Sequence, residues 1–599
     1  MALEIVGRAC VPQRLGTAAA AVALLGSLIV SCSSDEPTGS SAASKRAPPE
    51  GGSTTGGTIA PTCEAGASSG AVKEPEFWKN LPGQTGWFAS PIVQDLDHDG
   101  KNELVAAYYA VFVFDSKGKQ LAKIDGNGGR VYAPHVVADL EGDGVTEIVF
   151  GNGSEVLAYE WVDGAAREKE GWPVSVDGAG SDPEVRGMAA GDLNGDGSLE
   201  VAVTTTETAD EEEGGSQVWV FNASGSLYQP KGLSYDAWPR YNAKSGEGND
   251  ADRNGQGHHG FGCYGLNVGI GNIDDDSELE LIVTYDNHHI QAFDHDGVAI
   301  DASPWFTNRA SEYSGERMTW GQFIRWADPD VERAHYHDHE GDWPSPSETE
   351  WLQWTQSPPS VVDLDLDGKN EVIGVPNIEM HEPYETQAWG LFVLEGAYGD
   401  GSRSAMRKAG WEVLPRGDRP VEVDGWYPPG GVPAVAFANL LGDERPELVV
   451  SLNDWFLHAF DADGKELWRF NYGHDQAIMF ASEAVIADLN QDGSPEVLFT
   501  TFGDPDELDS GHLIVLASNG ELLYDVPLPN PDGARNGNGN GAPAAPTVAD
   551  LDGDGELEIF VQTFEHGLDV FKVPGSADNC MPWATARGGP LRMGQPSTE

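Results

Sequence analysis

Eight times along this chain a nine-residue acidic loop runs straight into an apolar stretch, and that repeat limits the architectures open to it. The first four copies are Asp95-Leu-Asp97-His-Asp99-Gly100-Lys-Asn-Glu103, Asp139-Leu-Glu141-Gly-Asp143-Gly144-Val-Thr-Glu147, Asp192-Leu-Asn194-Gly-Asp196-Gly197-Ser-Leu-Glu200 and Asn272-Ile-Asp274-Asp-Asp276-Ser-Glu-Leu-Glu280. The others are Asp363-Leu-Asp365-Leu-Asp367-Gly368-Lys-Asn-Glu371, Asn439-Leu-Leu441-Gly-Asp443-Glu-Arg-Pro-Glu447, Asp488-Leu-Asn490-Gln-Asp492-Gly493-Ser-Pro-Glu496 and Asp550-Leu-Asp552-Gly-Asp554-Gly555-Glu-Leu-Glu558. Position five is Asp and position nine is Glu in every copy, although acidic residues are only 97 of 599. Such agreement marks a repeated structural unit.

Oxygen ligands at alternate positions let a short loop curl around a hard cation, and calcium takes about six to eight oxygens. Glycine at position six permits the positive φ that such a turn needs. An EF-hand would require a Glu at position twelve and a following helix. Position twelve is Ala106, Phe150, Val203, Val283, Gly374, Val450, Phe499 and Val561, so that reading fails. The candidate calcium ligands are the side chains at positions one, three, five and nine. In the sixth loop only Asp443 and Glu447 remain, because Asn439, Leu441 and Glu444 replace two ligands and the glycine. The competing reading is a set of metal-free acidic turns, since Asp, Asn and Gly favour turns anyway. Three or four carboxylates in nine residues repel one another strongly without a cation.

The runs after each loop, such as Leu104-Val-Ala-Ala107 and Leu281-Ile-Val283, are short and apolar, as buried strands are. Beyond them lie alternating strands ending in Asx-rich turns: Val111-Phe-Val-Phe-Asp115-Ser-Lys-Gly118, Ile290-Gln-Ala-Phe-Asp294-His-Asp-Gly297 and Leu457-His-Ala-Phe-Asp461-Ala-Asp-Gly464. With a Trp- or Pro-bearing strand after and a small apolar stretch before each loop, each unit has about four strands and no periodic helix. Four-stranded antiparallel units repeated radially make an all-β propeller. Eight loops predict eight blades, or seven if the sixth unit is absorbed as an insertion. The segment from Glu76 to Phe88 and the C-terminal Met581-Pro-Trp583-Ala-Thr-Ala-Arg587 are expected to complete one blade together, the latter as its Trp-bearing strand.

These loops resemble the FG-GAP/VCBS-type repeats of the integrin α-subunit propeller and of bacterial surface proteins, over about residues 75–575. Gly541-Ala542-Pro543 is the one clear trace of the family's Gly-Ala-Pro element. The resemblance implies a calcium-stabilised propeller and carries over no ligand-recognition residue.

Residues 1–31 read as a lipoprotein signal peptide: Arg8 and Arg14 precede an apolar run that ends in Leu28-Ile-Val-Ser-Cys32. Cys32 is then the lipidated N-terminus of an exported, membrane-anchored protein. Residues 32–71, rich in Ser, Gly, Thr, Ala and Pro, are expected to form a flexible tether, and 72–599 the propeller. Long insertions are expected around 205–265, 298–358 and 376–432. Of the remaining cysteines, Cys63 and Cys580 flank the ring and form a reasonable disulfide, although three cysteines permit three pairings. The formal charge of −62 excludes nucleic acid as a partner, because phosphates would be repelled.

The longest interval between loops holds Trp320, Trp326, Trp343, Trp351 and Trp354, a core cluster or a sugar-stacking platform. It also holds His335, His337 and His339, which on an extended strand share one side and form a candidate transition-metal set. The chain has no His-Glu-x-x-His and no phosphate-cradling loop, and its Gly-x-Ser-x-Gly, Gly66-Ala-Ser68-Ser-Gly70, lies in the Ser/Gly-rich tether rather than at a strand-to-helix elbow. Three functions therefore stand: a scaffold binding a protein or glycan, a carbohydrate-active enzyme similar in architecture to rhamnogalacturonan lyases, or a metal-dependent site at the histidines.

Overall fold

The computed structural model describes residues 57–596, except 83–85, 177–183, 206–217, 230–265, 285–289, 308–318, 322–323, 325, 335–348, 355, 380–387, 419–430, 474–478, 505–509, 531–532, 534–538 and 578–579. Among them the fold is all-β, and helix is confined to short turns such as Pro304–Thr307 and Pro329–Glu332. Each acidic loop is the bend of a hairpin with one fixed register. The last residue of a short first strand lies opposite the Glu at position nine: Gln94 faces Glu103, Gly191 faces Glu200, Val362 faces Glu371 and Ala549 faces Glu558. Gly271, Ala438, Ala487 and Ala138 face Glu280, Glu447, Glu496 and Glu147 in the same way. The second strand of each hairpin, for example Glu103–Ala107 or Glu280–Thr284, is buried along its whole length. Packing on both faces explains why these runs are continuously apolar rather than alternating.

A third strand pairs with the second and leads into the Asx turn, where Gly118, Gly225, Gly297, Gly464 and Gly520 take φ of +71° to +80°. A fourth strand completes the sheets of the first, sixth and eighth loops. The sheets of the third, fourth and fifth loops have three strands among the described residues. In the eighth sheet the outer strand is Glu76–Leu81, paired antiparallel with Leu568–Val573, so the start of the fold completes its last sheet.

The first strands face one another around an axis. Val136–Ala138 packs beside Val185–Gly191, which packs beside Val268–Gly271 and then Ser360–Val362. On the other side Ala436–Ala438, Val485–Ala487, Thr547–Ala549 and Ile92–Gln94 follow in turn. Shared apolar clusters join the two arcs, through Val362 with Ala436 and through Ile92 with Val137.

The C-terminal segment corrects the sequence reading. Trp583 is not a strand of an outer blade; residues 580–595 fill the axis as a bent plug. The inner edge of a first strand is an unpaired sheet edge whose N–H groups need acceptors. The segment supplies them in turn. Ile486 donates to Trp583 O at 2.8 Å, Val548 to Ala584 O at 2.9 Å and Val137 to Pro590 O at 3.3 Å. Ala190 donates to Leu591 O at 2.9 Å, Ile270 to Met593 O at 3.0 Å and Val361 to Gly594 O at 2.9 Å. Arg592 is fully buried and ties the turn to the ring, its guanidinium donating to Ser90 O, His135 O, Ala586 O and Thr585 Oγ1 at 2.9–3.0 Å. Buried Glu483 accepts from Trp583 Nε1 at 2.8 Å and from the Arg587 amide at 2.7 Å. Burial pulls Arg592 down to about 9 and Arg587 to about 10, while Glu483 opposes both shifts.

The last part of the expected tether is packed. Thr58 accepts from Asp363 N at 2.9 Å, Gly66 donates to Gln491 O at 2.9 Å and Ser69 to Asn490 O at 3.0 Å, so this segment runs over the fifth to seventh loops. Cys63 is bonded to Cys580, with a Cα separation of 5.5 Å. Of the two readings of the tryptophan cluster, the structure selects the core. Trp320, Trp326, Trp351 and Trp354 are buried to 1% exposure or less and form a core with Phe392 and Leu352, so none offers a face to a sugar. Trp343 lies outside the described residues.

Candidate metal loops

Three side chains, at positions one, five and nine, build each complete loop by accepting four backbone hydrogen bonds. At position one, Asp95 accepts from Asp99 N at 3.0 Å and Gly100 N at 2.9 Å, and Asp139, Asp192, Asp363 and Asp488 repeat both contacts. At position five, Asp99 accepts from Lys101 N at 2.9 Å. From position nine, the Glu reaches back so that its Oε2 accepts the amide of position two, at 2.6–3.1 Å in all eight loops. Position two is Leu or Ile and buried every time, which draws the glutamate under the loop. The glycine at position six has φ of +84° to +90° where present. Glu444 takes its place in the sixth loop at φ +78°, a left-handed conformation that costs a side-chain-bearing residue about 1 kcal/mol.

The structure brings carboxylate oxygens together unevenly. Oxygens of Asp95, Asp97 and Asp99 lie within 4.8 Å of one another, as do those of Asp274, Asp276 and Glu280, of Asp363, Asp365 and Glu371, and of Asp550, Asp552 and Asp554. The fourth loop tests the fit to a cation most sharply. Glu280 is fully buried, its Oε1 has no hydrogen-bond partner, and a carboxylate oxygen of Glu280 lies within 4.8 Å of oxygens of Asp274 and Asp276. Oxygen donors alone, with a buried one unsatisfied, suit a hard divalent ion. Asp294 and His295, from the Asx turn, also lie within 4.8 Å of Asp276, a neighbour the repeat pattern did not single out.

The other four loops differ. In the third and seventh, Asn194 and Asn490 stand at position three. The sixth offers only two carboxylates; Asn439 donates to Thr62 Oγ1 at 2.9 Å, and Leu441 is 55% exposed. In the second, Lys169 bridges Glu141 and Glu147 at 2.5 and 3.1 Å. Two other lysines do the same: Lys408 on Asp365 and Glu371, both at 2.7 Å, and Lys572 on Asp552 and Glu558 at 2.8 and 3.0 Å. Sequence reading missed all three. The signal for two of them lies in Lys169-Glu-Gly-Trp172 and Lys408-Ala-Gly-Trp411, where the lysine stands three residues before a buried tryptophan.

Burial raises the position-nine carboxyls: to about 7 for Glu103, Glu147, Glu371 and Glu447, to about 8 for Glu200 and Glu496, and well above the usual range for Glu280. The bond from the position-two amide opposes the shift in each. His335, His337 and His339, with Cys32 and the signal segment, lie outside the described residues.

Among the described residues, a cavity of about 10 Å³ lies at the axis, lined by Phe88, Leu266, Val432, Glu483 and Ala586 among others.

Residues 488–561, spanning the seventh and eighth loops, match the family model of the FG-GAP-like repeat. No curated protein matches the chain. Among solved structures, the chain is similar to the V. cholerae biofilm matrix protein Bap1, at 13% identity over 86% of this chain and 93% of that one, with a TM-score of 0.33. It is also similar to BamB from Moraxella catarrhalis, at 11% identity over 82% and 98% of the two chains, with a TM-score of 0.37. The rhamnogalacturonan lyase PL11 of Bacillus licheniformis gives 12% identity over 82% and 91%, with a TM-score of 0.28.

Proposed function

We propose, from the premise that the chain is an FG-GAP-type repeat protein with a β-propeller fold, that it is an interaction scaffold: eight blades stiffened by calcium in the acidic loops, exported, and held to a membrane through a lipid on Cys32. One observation carries the scaffold reading. The axial channel, where a radial fold has room for a small substrate, is packed with the chain's own C-terminus, which leaves the faces and insertions to meet a protein or glycan. Loops on a rigid frame are favoured for such contacts. Calcium fits the all-oxygen donor sets, and seven ions, one in each loop but the two-carboxylate sixth, would change the formal charge from −62 to about −48, leaving a strongly acidic surface.

Glycan-array binding without release of reducing ends or unsaturated uronates is the expected result, and turnover of any polysaccharide would replace the scaffold with an enzyme. Metal analysis after dialysis is expected to find calcium and no stoichiometric transition metal; finding the latter would move attention to His335, His337 and His339. Labelled palmitate is expected on the wild-type chain and absent from Cys32→Ser.

A further inference from the structure

Three of the four loops with carboxylates at positions one, three, five and nine differ from those with three carboxylates in one respect. The second, fifth and eighth loops carry four, and in each a lysine from elsewhere in the same sheet's segment bridges positions three and nine. Lys169 is 5% exposed and Lys408 7%, so neither is a surface pair of negligible weight. The third and fourth loops carry three carboxylates, and among the described residues no lysine or arginine pairs with them. In the third and seventh loops, position three is Asn and has no charge to offset. The first loop also carries four, and its Lys101 pairs with Asp99 at the surface.

We propose that Lys169, Lys408 and Lys572 are built-in counter-cations: each offsets one surplus carboxylate, so that its loop offers a divalent ion the same three negative charges as the three-carboxylate loops. The inference rests on the reading of the loops as calcium sites. It differs from a lysine simply taking the ion's place, because beside two of the three lysines the donor set stays assembled. Beside Lys408, oxygens of Asp363, Asp365 and Glu371 still lie within 4.8 Å of one another, and beside Lys572 those of Asp550, Asp552 and Asp554 do. The lysine equalises the sites and also keeps the loop from repelling itself when no ion is bound.

The test is calcium titration of the full chain by calorimetry and equilibrium dialysis, with melting in chelator as a second readout. The variant Lys169→Met/Lys408→Met/Lys572→Met is expected to bind the same number of ions, three of them roughly tenfold tighter. That is the Coulomb effect of one charge on a divalent ion at about 6 Å under water-like screening. In chelator it is expected to melt below the wild type. Adding Glu141→Gln, Asp365→Asn and Asp552→Asn, which recreates the charge pattern of the third loop, is expected to restore both affinity and melting. Three additional ions in the lysine variant would show that the lysines replace the metal, and unchanged affinity would show that they only pack; either overturns the inference while the calcium reading stands. A wild-type chain and a lysine variant that both bind no divalent ion would overturn the reading itself.

Discussion

The axis and the loops both bury charge, and they resolve it in opposite ways. In the axis most of the charge is met within the chain: the Arg592 guanidinium reaches four oxygens, and Glu483 takes Trp583 and the Arg587 amide, with Arg587 Nε and Glu483 Oε2 left over. In the loops the carboxylates outnumber their partners, and Glu280 Oε1 has none. A region that satisfies itself needs nothing from solution. A region that does not depends on a solute ion or on pH. The plug is therefore a permanent part of the fold, and the loops are its adjustable part.

That contrast is most directly broken at the axis. Arg592→Ala strands several buried carbonyls and removes a buried cation, and is expected to cost about 3 kcal/mol or more in chemical denaturation, with or without calcium. An equal loss only in the absence of calcium would mean that axis and loops are one system. Removing calcium comes next. With the ion tenfold above a Kd on the order of 10⁻³ M, each site adds about 1.4 kcal/mol, so chelator in molar excess over the calcium is expected to lower the Tm by a sum over sites.

The pH dependence sharpens the same point. Glu200 and Glu496 ionise near pH 8 in the ion-free fold and near 4.5 when unfolded, so the folded state binds more protons between those values. Stability of the ion-free chain is then expected to fall as pH rises from about 5 to 8. Saturating calcium, which keeps these carboxylates ionised, is expected to flatten that slope, and thermal melts at both conditions check it. The smallest effect belongs to single loops. Glu280→Gln is expected to lower calcium stoichiometry by one, whereas Glu447→Gln, in a loop with two carboxylates, is expected to leave it unchanged.

Much of this was legible beforehand because it is local. The hairpin register, the Asx turns and the all-β character follow from spacing within about thirty residues. The glutamate at position nine lies opposite the same strand position eight times because one short loop admits one register. The plug was not legible. Trp583 looks like the tryptophans that close other units, and only the unpaired inner edges of distant strands give it another place. The tryptophans of the long insertion likewise read as core or platform, and burial alone separated the two.

What the residue order determined by itself was the loop: donors at alternate positions, a buried Leu or Ile beneath them and a strand behind, all set by short-range sterics and hydrogen bonding. What only the tertiary structure decided was which carboxylates receive a partner. Lys169 lies 22 residues from Glu147, Lys408 lies 37 from Glu371, and Arg592 lies 457 from His135. Such pairings cost chain entropy that only the closed ring of sheets repays, so no local pattern announces them.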